Sequence, residues 1–266
     1  MTVPLRPGRK GVRLTALLTG THRYEKTLST RNRGHGVIVQ APILAYLVET
    51  PNGRILYDVG CDYSKIAEPA RRAQYFSPET FTYGAPDMDE SQRLPSHFSR
   101  LGLTAKDIDV VFLGHLHFDH AGGLCDVPGC EVHVQADELA AARAQEDMGY
   151  FADDFAGPID FREQHGEYDV APGVRAVATP GHTAGHMSLL VELAEGPPIL
   201  LCGDAADLTE NLEHEVAPGL CWREREDMAV ASIRKLKSLA AETGAQLWPN
   251  HDLAFWGGTM AAREWH

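Results

Sequence analysis

A single α/β sandwich domain is the fold class this sequence predicts, and three observations predict it. Apolar, β-prone runs alternate with helical patterns in two halves, roughly 12–150 and 170–260, of a chain of 266 residues. The composition is that of an ordinary globular protein, 44% hydrophobic and 23% charged, with enough apolar material for a core. His and Asp residues recur where β-like runs end, and in an α/β sandwich the strand ends converge on one rim. The length fits one large α/β unit, so the domain is expected to span 1–266.

The elements follow in order. ILAYLVET (43–50) and RILYDVG (54–60) are joined by Pro51-Asn52-Gly53 and read as a hairpin, which Asp58 and Gly60 end. Residues 62–100 carry scattered aromatics and prolines and read mostly as loop, with a helix near 88–101. DIDVVFLG (107–114) is a buried-strand pattern running into HLHFDH, after which AGGL supplies the small residues of a tight strand-to-helix turn. EVHVQA (131–136) reads as a strand, followed by a helix through DELAAARAQED with Asp137 as its expected N-cap.

The second half repeats the plan, with strands at VRAVAT (174–179), MSLLVEL (187–193) and PILLCGD (198–204) and a loop at PGHTAGH. Between 223 and 243, Met228, Ala231, Ile233, Leu236, Leu239 and Ala240 recur at helical spacing, and Gly244 ends the helix. QLWPNHD then brings a last strand to His251.

Charge and composition exclude several classes of function. The formal charge of -13 repels polyanions, and no basic, aromatic-interleaved patch is visible, so nucleic acid is not an expected partner. No stretch approaches the roughly 20 apolar residues of a membrane span, and LTALLTG is too short for a secretory core. The five cysteines are scattered, without a CxxC pair, which suits a reducing cytoplasm. Oligomeric state is left open, a homodimer included.

His115, His117, Asp119 and His120 lie within six residues. Each costs desolvation and needs a partner if buried, and a divalent ion supplies one. In an extended segment His115 and His117 point the same way, while the turn that follows swings Asp119 and His120 toward a second ion. His182, Asp204 and His251 end later β-like runs and are candidates to complete two ligand sets, with Asp204 bridging. His186 begins a strand and is expected to hydrogen-bond near the site, and His133 reads as a satisfied sheet histidine. His22, His35, His97, His165, His214 and His266 have no ligand spacing and read as surface or loop residues. Cys202 reads as a small buried strand residue.

HLHFDHAGG, TPGHTAGH and GDAADLTENLEHEVAPG resemble the metallo-β-lactamase superfamily, and within it the N-acyl-homoserine lactone lactonases. PILAYLVETPNGRILYDVG, SIRKLKSL and the NHD segment extend the likeness over nearly the whole chain. The resemblance implies a metallo-β-lactamase αββα sandwich. It implies one zinc held by His115, His117 and His182 and a second by Asp119, His120 and His251, with Asp204 and a hydroxide between them; iron, manganese or cobalt also suit such ligands. The implied reaction is attack of that hydroxide on the ester carbonyl of a lactone, a small-molecule substrate, with Asp119 passing a proton to the leaving oxygen.

Lactonases of this type usually carry a tyrosine three residues after the bridging aspartate, where this chain has Asp207. A carboxylate there repels a developing oxyanion and donates no hydrogen bond unless protonated. Tyr83 is a replacement by residue type. The departure keeps other substrates in view for the same core: another lactone, a thioester, an organophosphate or a β-lactam. A metal-stabilised binding protein without activity is the non-enzymatic alternative. Tyr75, Phe76, Phe81 and Tyr83 have an acyl-pocket lining as one reading and packing as the other, and packing is the expectation, so none is assigned to the site.

Overall fold

The computed structural model describes residues 11–259; the basic leader before Gly11 and His266 lie outside the described residues. The chain runs β1 (Arg13–Glu25), β2 (Ile38–Thr50), β3 (Gly53–Tyr57), α1 (Tyr63–Ala67), α2 (Pro69–Tyr75), α3 (Leu94–Arg100), β4 (Val110–Phe112), α4 (Phe118–Ala121), β5 (Glu131–Gln135), α5 (Ala136–Arg143) and β6 (Asp160–Gln164). It continues through β7 (Tyr168–Ala171), β8 (Val174–Ala178), β9 (Met187–Val191), β10 (Ile199–Leu201), α6 (Thr209–His214), α7 (Glu226–Thr243), β11 (Gln246–Trp248) and α8 (Leu253–Thr259). Short 3-10 turns link several of these.

Among the described residues the strands form two sheets, ordered β1-β2-β3-β4-β5-β6 and β11-β10-β9-β8-β7. The first is antiparallel from β1 to β3 and parallel from β3 to β6, because the crossovers that carry α1 to α3, α4 and α5 return each strand in the same direction. In the second, β10 pairs parallel to β11 through the crossover that contains α7, and the remaining pairs are antiparallel.

The sheets face each other across Leu44, Tyr46, Ile55, Tyr57 and Phe112 on one side and Val174, Met187, Leu189, Val191, Leu201 and Trp248 on the other. The outer face of the first sheet buries Leu47, Leu56, Val111 and Val132 with Leu94 and Phe98 of α3 and Leu139 of α5. The outer face of the second buries Val177, Leu190 and Leu200 against Leu212 of α6 and Ile233, Leu236 and Ala240 of α7. This is the αββα sandwich. With both faces covered, every residue of β9 is buried, which is why MSLLV reads as a continuous apolar run.

The hairpin, the strands at 110–112, 131–135, 174–178, 187–191 and 199–201, and α7 closed by Gly244 at φ 71° all lie where the sequence places them. Three readings are corrected. α5 is capped at Gln135, without a side-chain bond, and Asp137 sits in its first turn, because the strand runs straight into the helix with no free residue between. Residues 62–100 hold α1 and α2 as well as α3, set by the Asp62 side chain accepting from Ser64 N and by Pro69 at the first position of α2. His22 lies in β1 and is buried, and His97 is half-buried in α3, donating to Leu18 O at 2.9 Å.

Candidate metal centre

The segments that follow β4, β8, β10 and β11 meet at one rim of the sandwich. β4 runs out at Phe112 and turns through Gly114, whose N–H donates to Asp58 Oδ1 at 2.8 Å and whose carbonyl accepts from Met187 N at 2.8 Å. A side chain at Gly114 would meet Tyr57 Oη at 2.8 Å, so the two sheets close tightly there. His115 follows, His117 precedes α4, and Asp119 and His120 lie in that single turn of helix. His182 comes from the β8–β9 loop, Asp204 from the 3-10 turn after β10, and His251 from the segment after β11.

These seven side chains meet. Ligand-capable atoms of His115, His117 and His182 lie within 4.8 Å of one another, as do those of Asp119, His120 and His251. Asp204 stands between: its Oδ2 is 3.7 Å from His115 Nε2 and 3.5 Å from His182 Nε2, and its Oδ1 is 3.3 Å from both His120 Nε2 and His251 Nε2. Asp119 Oδ2 lies 3.8 Å from His251 Nε2 and 3.9 Å from His120 Nε2.

The outward nitrogens show what the inward ones offer. His120 Nδ1 faces Asp58 Oδ2 at 2.7 Å, His117 Nε2 faces Asp147 Oδ2 at 3.0 Å, His251 Nδ1 faces Pro42 O at 2.8 Å, and His182 Nδ1 faces Leu220 O at 3.2 Å. Each of those acceptors takes the ring proton and leaves a lone pair on the nitrogen that points inward. His182 Nε2 and His117 Nδ1 therefore point lone pairs at each other across 3.1 Å, and His115 Nε2 and His120 Nε2, both buried, have no hydrogen-bond partner among the described residues. Buried lone pairs converging in this way fit a cation between them.

Charge divides the cluster less evenly, because burial at His117 is outweighed by Asp147, which raises it. Burial holds His115 and His182 below the ordinary imidazole range, His182 at about 4. At the other half, burial is outweighed by Asp204, so His120 and His251 are raised, His251 to about 10. Against its own burial, Asp204 is held well below the usual carboxylate range by His120, His251 and His115. A divalent ion would take the place of those protons.

His186 keeps apart from the ligand sets. Its Nδ1 faces Thr179 Oγ1 at 2.9 Å and its Nε2 accepts from Asp204 N at 2.9 Å, so it fixes the Asp204 backbone, and burial pushes its pKa down to about 3. His133 is paired with Tyr168 and Glu131 in the sheet. His35 and His165 are exposed in loops, and His214 is exposed at the end of α6.

Several supporting groups lay beyond sequence reasoning: Asp58, Asp147, Glu138 and Asn250. Glu138 accepts from Leu116 N, Gly185 N and Tyr150 Oη, tying the HLH segment to the PGHTAGH loop, and Asn250 Nδ2 donates to Asp204 Oδ1 at 2.8 Å. Asn250 adjoins His251 and Asp58 ends a strand; nothing in their spacing ties them to the histidines.

Above the cluster opens a cavity of about 420 Å³, reached by His117, Asp119, His182, Asp204, Asp207 and His251 and walled by Leu28, Phe81, Tyr83, Phe118 and Met148. His22 lines it too, edge-on to the Phe118 ring at 5.9 Å. Its reading as a surface residue fails because β1 extends to Glu25 and turns alternate side chains inward.

The metallo-beta-lactamase superfamily matches residues 39–241. The chain belongs to that family. Its similar relatives include an N-acyl homoserine lactonase of Bacillus sp, 34% identical over 82% of this chain and 84% of the relative. Another is the N-acyl homoserine lactonase AttM of Rhizobium radiobacter, 28% identical over 96% and 98%. Among solved structures, an N-acyl homoserine lactone hydrolase with the product N-hexanoyl-L-homoserine bound at its catalytic metal center superposes with a TM-score of 0.80, at 27% identity over 96% of this chain and 98% of that one. These relatives support a metal-dependent hydrolase, and the converging imidazoles and carboxylates fit the metal dependence of that superfamily.

Proposed function

We propose that this chain is a lactonase that opens the ester ring of N-acyl-homoserine lactones and that its centre holds two divalent ions, zinc in the first instance. His115, His117 and His182 would hold one, Asp119, His120 and His251 the other, with Asp204 shared. The observation that carries the reading is Asp204, which turns one oxygen to each imidazole set at the floor of an apolar-walled cavity. The lactonase names of relatives at up to 34% identity supply the substrate class.

Two such ions, when bound, lower the pKa of water toward neutrality and polarise an ester carbonyl. The chain's own residues do the rest. Asp119 is the least buried of the carboxylates in the two sets and lines the cavity, so its free oxygen is placed to accept a proton and return it to the leaving alkoxide. Leu28, Phe81, Phe118 and Met148 offer apolar area to an acyl chain, and Tyr83 lines the same wall within reach of polar substrate groups. Asp58, Asp147, Pro42 O and Leu220 O keep the ligand rings oriented.

The test is ring opening followed by pH indicator with purified, metal-quantified protein, against acyl-homoserine lactones of several chain lengths and against γ- and δ-lactones, thioesters and an organophosphate. Preferred turnover of homoserine lactones supports the reading. Preferred turnover of another class, with metal bound, overturns the substrate and leaves the hydrolase.

A further inference from the structure

One buried carboxylate has no part in the reaction outlined above. Asp207 is 4% exposed and lines the cavity, and its Oδ1 has no hydrogen-bond partner among the described residues. A carboxylate oxygen out of water without a donor is costly. Its neighbours add to the cost, because ligand-capable atoms of Asp204, Asp207 and His251 lie within 4.8 Å of one another.

His251 cannot balance this alone. Its Nδ1 faces Pro42 O, so only Nε2 points inward, and that atom is already 3.3 Å from Asp204 Oδ1 and 3.8 Å from Asp119 Oδ2. Asp204 and Asp119 also face His120 Nε2, whereas Asp207 is grouped only with Asp204 and His251 and has the Ser29 hydroxyl as a further neighbour.

We propose that Asp207 is an additional ligand of the ion held by Asp119, His120 and His251. This inference rests on the two-ion reading above. It would make the two positions chemically unlike: His115, His117 and His182 present nitrogen with one shared carboxylate, whereas the group of Asp119, His120 and His251 and the group of Asp204, Asp207 and His251, joined through His251, would together present oxygen from three carboxylates beside two imidazoles. Oxygen-rich sets favour harder ions, so manganese or ferrous iron competes better with zinc at the second position than at the first.

Stripped full-length protein titrated with Mn2+ tests this, with binding followed by calorimetry and stoichiometry by elemental analysis. The wild type is expected to bind two Mn2+ per chain. Asp207→Asn keeps the shape and removes the charge, and is expected to weaken one of the two affinities by about tenfold or more and leave the other unchanged. Two unchanged affinities in Asp207→Asn would overturn the proposal and leave the two-ion centre standing. Fewer than two ions in the wild type with Zn2+ as well as with Mn2+ would overturn both. If the variant fails to fold, crystals of the zinc-loaded wild type decide the matter. An Asp207 oxygen at about 2.0–2.2 Å from the second ion supports the assignment, and a carboxylate turned away from it overturns it.

Discussion

Asp58 sits in the left-handed region at φ 57°, a conformation that Asp and Asn tolerate better than other side chains. That bend lets one carboxylate accept from Gly114 N and hold the His120 ring. Asp58→Asn preserves the backbone preference and weakens the grip on His120, so affinity for the second ion is expected to fall about 10- to 100-fold, measured by competition with a chromophoric chelator. Gly149 has an equally local role: a Cβ there would stand 2.6 Å from the His117 ring. Gly149→Ala is expected to displace His117 and release the first ion at chelator concentrations the wild type withstands. At this scale the sequence was legible where chemistry is dense. HLHFDH announces itself because three imidazoles and an acid within six residues have no packing rationale. Asp58 and Asp147 were not legible, because a partner of a ligand is defined by contact across 62 or 30 residues of chain and not by spacing.

A buried ion pair lies behind the aromatic wall of the cavity, with Lys65 Nζ 5.3 Å from the Phe151 ring that stacks on Phe118. Lys65 of α1 donates to Asp154 Oδ1 at 2.5 Å and to Asp153 Oδ1 at 2.7 Å, with the Lys65 and Asp154 side chains each 2% exposed. Above that pair pack Phe76, Phe81, Phe118 and Phe151, with ring centroids 4.9 to 6.2 Å apart. Lys65→Met strands the Asp154 carboxylate and is expected to cost about 3–5 kcal/mol in urea unfolding. If the aromatic wall holds an acyl chain, the same variant raises KM for long-chain lactones more than for short ones. Strands with apolar runs were legible from sequence; β1 was not, because its polar and apolar residues mix, and neither was β6, an edge strand of DFREQ with no fully buried residue. The helices α1 and α2, five and seven residues long, give too few turns for periodicity to register.

At the scale of the whole molecule, loops from both sheets meet at the proposed metal centre, so loading should stabilise the fold and not only the rim. Chelation is expected to lower Tm, and re-addition of zinc to restore it, since an ion bound only by the native state contributes about 2.7 kcal/mol at one hundred times its Kd. The imidazoles ligate only when neutral, so ion retention is expected to decline as pH falls, and to fail first where His120 and His251 are held basic and later where His115 and His182 are held low, read as metal content after desalting across a pH series. Among the described residues no helix is long and apolar enough to cross a membrane. The αββα layering was legible because the β-like runs recur in two halves, whereas the shape of the cavity was not. It depends on which way β1 and the 62–100 segment turn their side chains.

The central claim is that the two ligand sets act as one hydrolytic centre, and the most direct measurement is lactone turnover as stripped protein is titrated with zinc. The account predicts no turnover without metal and a rise in rate that levels off at two ions per chain. Full turnover in the metal-free protein, or two bound ions with no lactone opened, would contradict it.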